Sequence, residues 1–441
     1  MRRPGWRTAS AGAPRPDRAS RALAYAPEDG AFTLYNDYSE GTSVLAPGGP
    51  DPEFDAPWTV WHAAAGVGRP HALAPAPEVE GYGVFTFPYG PLSMGVPEAG
   101  RFDVRTYGER VLNLVPVGGF KSRRVRAAVV GQTVVDAALR VERLAGNFSA
   151  AHVSAFLDAV ESAEGRAVPT EEWWVRGLAQ ELQRIYNHVH VIARVAEAAS
   201  QNVGLAQTHA LAEEVLRTQG AVFGHRWLFG ALLPGGPARR LDATDRRALA
   251  ARLGRLGEEF ERLWRLFLES RTFVDRIQGT CPVTRDAAVE WGAVGPTLRA
   301  SGVAWDDRLR IPVAPYTDLF LPLPHESGGD ALARVATRAE EVRASFLVLE
   351  QMLERWPVAG AGDEPPGLAV APGRGLGRVE APSGDLVYDV RVAAGRVAGL
   401  ELRSPSQANW PVFAAGMRDA VFTDFHFAFE SFGFAFAETD G

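Results

Sequence analysis

Three apolar stripes run through this chain at helical spacing, and they limit the folds open to it. Leu178, Leu182, Ile185, Val189 and Ile192 follow one another at intervals of 4, 3, 4 and 3 residues, which puts them on one face of an α-helix. Thr170 precedes the run with Glu171 and Glu172 just behind it, a composition suited to a helix N-terminus. Leu249, Leu253, Leu256, Phe260, Leu263 and Phe267 form a second stripe. Leu332, Val335, Val342, Phe346, Leu349 and Leu353 form a third, which stops before Pro357. Long helices with narrow apolar stripes bury them by antiparallel bundle packing. Helices should therefore dominate residues 125–360.

Segments of alternating character flank this region. RFDVRTYG (101–108) and RVLNLVPV (110–117) read as strands of a small sheet. A Gly/Pro-rich linker at 358–374 leads to a β-meander with a turn at Ala394-Gly395, and RGLG (374–377) reads as the turn that opens it. The terminal FTDFHFAFESFGFAFAETDG is dense in phenylalanine and should be buried, since an exposed run of this kind would aggregate. Residues 1–80, rich in Pro, Gly and Ala, are expected to form a variable, partly disordered extension, and residues 81–441 the folded domain. The expected fold class is α+β, mainly α: a long-helix bundle with small β segments near both ends.

Composition removes several chemistries. Cys281 is the one cysteine in 441 residues, so the chain alone forms no intrachain disulfide, all-cysteine metal site or CxxC redox pair. A formal charge of −7 argues against a nucleic-acid partner, which would favour a basic surface. All basic residues but Lys121 are arginines, so Schiff-base catalysis would fall to Lys121. No stretch reaches the ~18 apolar residues of a membrane span. The Arg-rich start lacks the apolar core of a secretory signal, and the expected location is the cytoplasmic side of a membrane, reached through partners. The nine histidines include no HExxH, and GxGxxG, GxxxxGK[ST] and GxSxG are absent from contexts that would give them meaning.

Seven phrases taken in order resemble one family. They are GPLSMGVPEAGRF (90–102), VERLAGNFSAAH (141–152), ELQRIYNHVH followed by FGHRWLFGALLPGG (223–236), GAVGPTLRASGVAWDDR (292–308), VEAPSGDL (379–386), RSPSQANWP (403–411) and SFGFAFAETDG (431–441). Together they resemble the large subunits of nickel–iron hydrogenases and the 49-kDa (D) subunit of respiratory complex I. The energy-converting, formate hydrogenlyase-like branch is the nearest in pattern.

The resemblance also marks what has been lost. The two CxxC pairs that hold nickel and iron in the hydrogenases fall on Ala145 and Phe148, and on Ala435 and Glu438. Alanine and phenylalanine offer no donor atom, and one carboxylate does not replace a thiolate cage. The arginine of the APRG segment is Ser383, and a histidine of the first motif is Ser93. Nickel–iron catalysis is thus not expected, and no cofactor is expected on this chain itself.

Complex I implies that such a scaffold can keep a role without the metal, as the head of a quinone cavity beside an iron–sulfur cluster on a partner. On that pattern Ala145, Phe148, Ser93 and Ser383 would line the cavity, His152 would offer a polar contact, and Glu98 would relay protons. The resemblance implies an iron–sulfur small subunit and antiporter-like membrane subunits as partners. The alternative is a degenerate, non-catalytic scaffold or regulatory subunit. His188 and His225 are expected to serve structural hydrogen bonding, Arg299, Asp306 and Arg308 to form an ion-pair network, and Cys281 to be a packed thiol.

Overall fold

The computed structural model describes residues 81–441 apart from 94, 118, 166–167, 238–240, 314, 358–371 and 441, and before residue 81 only the backbone of five short strands. Most of the expected extension at 1–80 and most of the expected linker at 358–374 therefore lie outside the described residues. Strands β1 (Val84–Tyr89), β2 (Arg101–Tyr107) and β3 (Arg110–Val117) form an antiparallel sheet in that order. The helices that position the site are α1 (Ser149–Glu164), α2 (Thr170–Ala198), α3 (Asn202–Phe223), α4 (Ala243–Glu269) and α5 (Ala331–Glu354). A second antiparallel sheet follows, β4 (Gly373–Ala381), β5 (Gly384–Ala393) and β6 (Arg396–Arg403). The chain then runs through α6 (Pro405–Gly416), α7 (Phe425–Phe432) and α8 (Ala437–Asp440).

The three stripes become α2, α4 and α5, with α2 beginning at Thr170. Asp242 starts α4 with a capping box shared with Asp245. One feature departs from the narrow-stripe expectation. Helix α2 is buried on its polar sides as well, including Glu181, Arg184, Asn187 and His188, because α3, α5 and α7 all pack against it. Its charged side chains must then find partners inside the protein.

The segment RGLG is not a turn but part of β4. A Cβ added at Gly375 would lie 2.0 Å from the Ala159 carbonyl oxygen, and one at Gly377 1.9 Å from that of Ala155. The alternate glycines let α1 lie directly on the strand, a close approach that any side chain would prevent. The β5–β6 turn falls at Ala394-Gly395, both with positive φ. Most of the terminal phenylalanines are buried, several of them under the first sheet: the Phe102 ring lies 4.9 Å from Phe425 and 5.8 Å from Phe436, and Trp410 stacks on Phe434 at 3.8 Å.

Candidate functional site

The second and last family motifs meet inside the protein. Ala145 and Phe148 bracket the short turn that opens α1; Ala435 lies just before α8 and Glu438 in its first turn. All four are buried. The Glu438 carboxylate faces His152 on α1, with Oε1 2.9 Å from the imidazole Nε2. Its Oε2 accepts from the Ser406 hydroxyl at 2.5 Å, and that hydroxyl in turn accepts from the Ala435 amide at 3.0 Å. On the far side of the ring, His152 Nδ1 lies 2.8 Å from the Tyr388 hydroxyl.

With the Tyr388 O–H donating to Nδ1 and the Nε2–H donating to the carboxylate, every donor in the chain finds an acceptor. Tyr388–His152–Glu438–Ser406 is thus a buried polar chain standing where the resemblance puts the fourth thiolate. Burial, and after it the nearby Glu438, push the Tyr388 phenol well above its ordinary value.

A second, larger network crosses the bundle behind this chain. Arg338 on α5 donates to the Phe432 carbonyl at 2.5 Å and sits 3.1 Å from His188 Nδ1. His188 Nε2 meets Glu341 Oε2 at 2.8 Å. Arg299 joins the other Glu341 oxygen at 2.7 Å to Glu380 Oε1 at 2.9 Å. Beyond it Arg308 pairs with Asp306 and Glu181.

Burial alone would raise the Glu341 carboxyl, but Arg299 and the His188 hydrogen bond hold it well below the usual range. Burial brings His188 down to about 4 and Arg338 down to about 9. His188 is therefore a neutral, structural histidine, as expected. Arg299, Asp306 and Arg308 do form an ion-pair network, which extends further than its sequence motif. His225 Nδ1 accepts from the Trp227 and Phe229 amides, also a structural use. Cys281 is a packed thiol against Gly416, pushed up to about 11 by burial.

The remaining expected site residues are more dispersed. Glu98, on the loop at 90–100, is only half-buried, and its Oε2 accepts from the Phe436 amide at 2.7 Å and the Ala437 amide at 3.3 Å. It thereby holds the segment that carries Glu438. Ser383 is buried and donates to the Gly433 carbonyl at 3.1 Å. Ser93 lies on the 90–100 loop beside Tyr89.

Sequence reasoning did not find Tyr388 or Ser406. The signal for Tyr388 was the alternation of β5, which puts it on one face with Leu386 and Val390. Ser406 had none beyond its place in the first turn of α6.

A nickel–iron centre does not fit these residues. Three of the four positions carry no donor atom, and the Glu438 oxygens are committed to His152 and Ser406. Among the described residues, no group of three or more His, Cys, Asp or Glu side chains is arranged to hold a metal ion.

Comparison with known proteins gives a consistent picture. The family described as "Respiratory-chain NADH dehydrogenase, 49 Kd subunit" matches residues 205–366. The alpha subunit of the membrane-bound hydrogenase of Pyrococcus furiosus is 30% identical over 323 residues, 70% of this chain and 76% of that protein. The carbon monoxide-induced hydrogenase of Rhodospirillum rubrum is 27% identical, with 77% of this chain and 94% of that protein covered. A D-type subunit of the NADH-quinone oxidoreductase of Roseiflexus is 29% identical, over 70% of this chain and 86% of that protein. Among solved structures, a chain of the membrane-bound sulfane sulfur reductase, an archaeal respiratory membrane complex, superposes with a TM-score of 0.76 at 23% identity. That match covers 81% of this chain and 98% of the other, and it speaks to the fold.

Proposed function

Because the chain belongs to the family that unites nickel–iron hydrogenase large subunits with the 49-kDa subunit of respiratory NADH dehydrogenase, we propose that it is the large subunit of a complex-I-like or energy-converting-hydrogenase-like oxidoreductase. It sits at a membrane surface, on the cytoplasmic side. None of the helices among the described residues is long and apolar enough to cross the bilayer, so attachment is through partners. An iron–sulfur small subunit delivers electrons, antiporter-like subunits lie in the membrane, and a quinone is the candidate acceptor. The relatives named as membrane-bound or quinone-reducing proteins support this reading.

The observation that carries it is the buried Tyr388–His152–Glu438–Ser406 chain at the former thiolate position. Enclosing a carboxylate and an imidazole costs several kcal/mol that apolar filling would not. A polar chain of this kind suits proton transfer, since each member can pass a proton to the next. Reducing a quinone to a quinol takes two electrons, supplied by the partner's cluster, and two protons, supplied along this chain and through Glu98. Ala145 and Phe148 give the acceptor an apolar wall, and Ser93 and Ser383 lie at its polar edge.

A second reading, a scaffold that handles no electrons, is favoured by the closure of the site: Ala145, Phe148, Ser383 and Ala435 are each at most 4% exposed. Purification of the intact complex separates the two. An iron–sulfur subunit copurifying in equal amount, with a cluster that NADH or another donor reduces and added quinone reoxidises, supports electron transfer. A complex whose cluster is never reoxidised by quinone supports the scaffold.

A further inference from the structure

The loop at 90–100 is fastened to the bundle at a point remote from Glu98. Arg194, on α2, donates through one nitrogen to the Gly95 carbonyl at 3.0 Å and to Glu430 Oε1 on α7 at 2.7 Å. Its other terminal nitrogen donates to Glu197, one turn further along α2. Gly95 has φ of +84°, and a Cβ there would meet the His426 ring at 2.6 Å, so the loop backbone lies close against that imidazole. His426 is itself held by the Tyr89 hydroxyl at 3.0 Å. The same loop then carries Glu98 to the Phe436 and Ala437 amides, and Gly100 to the Phe436 ring. A single guanidinium therefore links the loop over the terminal segment to a buried carboxylate on α7.

We propose that Arg194 and Glu430 form a proton-sensitive latch. While Glu430 is ionised, Arg194 stays drawn into the cleft and keeps its bond to Gly95. When Glu430 takes up a proton, Arg194 turns toward the more exposed Glu197 and solvent, and Gly95 loses its donor. The loop, and the hold of Glu98 on the segment bearing Glu438, then loosen. The latch stands on this geometry; that it regulates access to the Tyr388–His152–Glu438 site rests on the proposed function.

The charges around α7 allow such a switch. Burial brings Glu430 up to about 7 in spite of Arg194, with Glu197 adding to the rise. His426, on the same helix, is held below its ordinary value by burial and by Arg194. Tyr89 on β1 is raised by burial and is neutral where Glu430 titrates. Arg334 and Arg338 on α5 are turned to Ser431 and to the Ser431 and Phe432 carbonyls. Arg276, on the short helix Arg271–Ile277, lies over Phe427, and Asp424 precedes α7. Arg194 and Glu197 are the charged groups that act on Glu430.

Hydrogen–deuterium exchange on the full chain reads the latch without reference to any reaction. The reporters are the Val96 and Gly100 amides, bonded within the loop to the Ser93 and Pro91 carbonyls. Exchange is compared at about pH 6 and about pH 8, with times scaled for the intrinsic rate, and protection of the loop peptide is expected to be about tenfold lower at the acid end. Glu430→Gln should give the low protection at both pH values, and so should Arg194→Gln, while peptides from the centre of α2 stay protected and show that the fold is intact. Wild-type protection that does not change with pH would overturn the proposal, as would a Glu430→Gln protein that keeps the wild-type pH response. A positive exchange result in a complex that never reduces quinone would keep the latch and discard the proposed reaction.

Discussion

Glu438→Ala is the substitution that most sharply tests whether the former metal position has been rebuilt as a polar clasp. The carboxylate accepts from His152 Nε2 at 2.9 Å and from Ser406 at 2.5 Å, all inside the core. Its removal leaves two buried donors without an acceptor, at about 1–3 kcal/mol each. The four missing heavy atoms leave a cavity worth ~1 kcal/mol more. The expected loss is therefore about 3–7 kcal/mol. Glu438→Gln keeps an acceptor for His152 and a group that can face Ser406, and should cost only ~1–2 kcal/mol. Urea unfolding of the full chain measures both as shifts of midpoint at constant slope. A His152→Phe background tests the coupling: there Glu438→Ala should cost less, because one of the stranded donors is already gone. An alanine variant within about 0.5 kcal/mol of wild type would refute the clasp and leave Glu438 as an incidental replacement.

Two further outcomes follow from the same geometry. Gly377→Ala should cost about 3 kcal/mol or more, since its Cβ would sit 1.9 Å from the Ala155 carbonyl and force α1 off β4. Gly254→Ala, in α4 with nothing within 4 Å, should instead stabilise by up to ~1 kcal/mol. Thermal unfolding of the two variants checks the contrast. For pH dependence, His188 falls from an ordinary 6.5 to about 4 in the fold, so the unfolded chain binds a proton that the folded one does not, and stability drops as pH falls through that window. Glu430 rises from 4.5 to about 7, so the folded chain binds the extra proton and this group opposes the loss. Glu430→Gln should therefore steepen the fall in unfolding midpoint between about pH 6.5 and 4.5; an unchanged or shallower slope would show that Glu430 does not carry that proton.

Much of the scaffold could be read from the residues. The spacing of Leu178 to Ile192 and the Thr170 start mark α2, and Ala394-Gly395 marks the β5–β6 turn, because each depends on local periodicity or backbone chemistry. Helix α3 was less legible: its buried residues, among them Leu211, Val215, Leu216 and Val222, make a short, interrupted stripe among exposed neighbours. RGLG misleads because its glycines answer to a helix crossing more than 200 residues away in sequence, not to a local turn. The lost thiolates were visible only by setting motifs side by side. What replaced them was not visible, since Tyr388 and His152 are 236 residues apart and meet only through the fold. Likewise, nothing local to Arg194 or Glu430 announces their contact.

Quinone reduction by the purified complex tests the central claim most directly. The account predicts that the wild-type complex passes electrons from its reduced iron–sulfur subunit to a short-chain quinone. His152→Ala should abolish that step and Glu98→Gln should slow it, with the cluster still reducible and the subunits still assembled. Full quinone reduction in both variants would contradict the account, because the rebuilt site would then have no part in the chemistry.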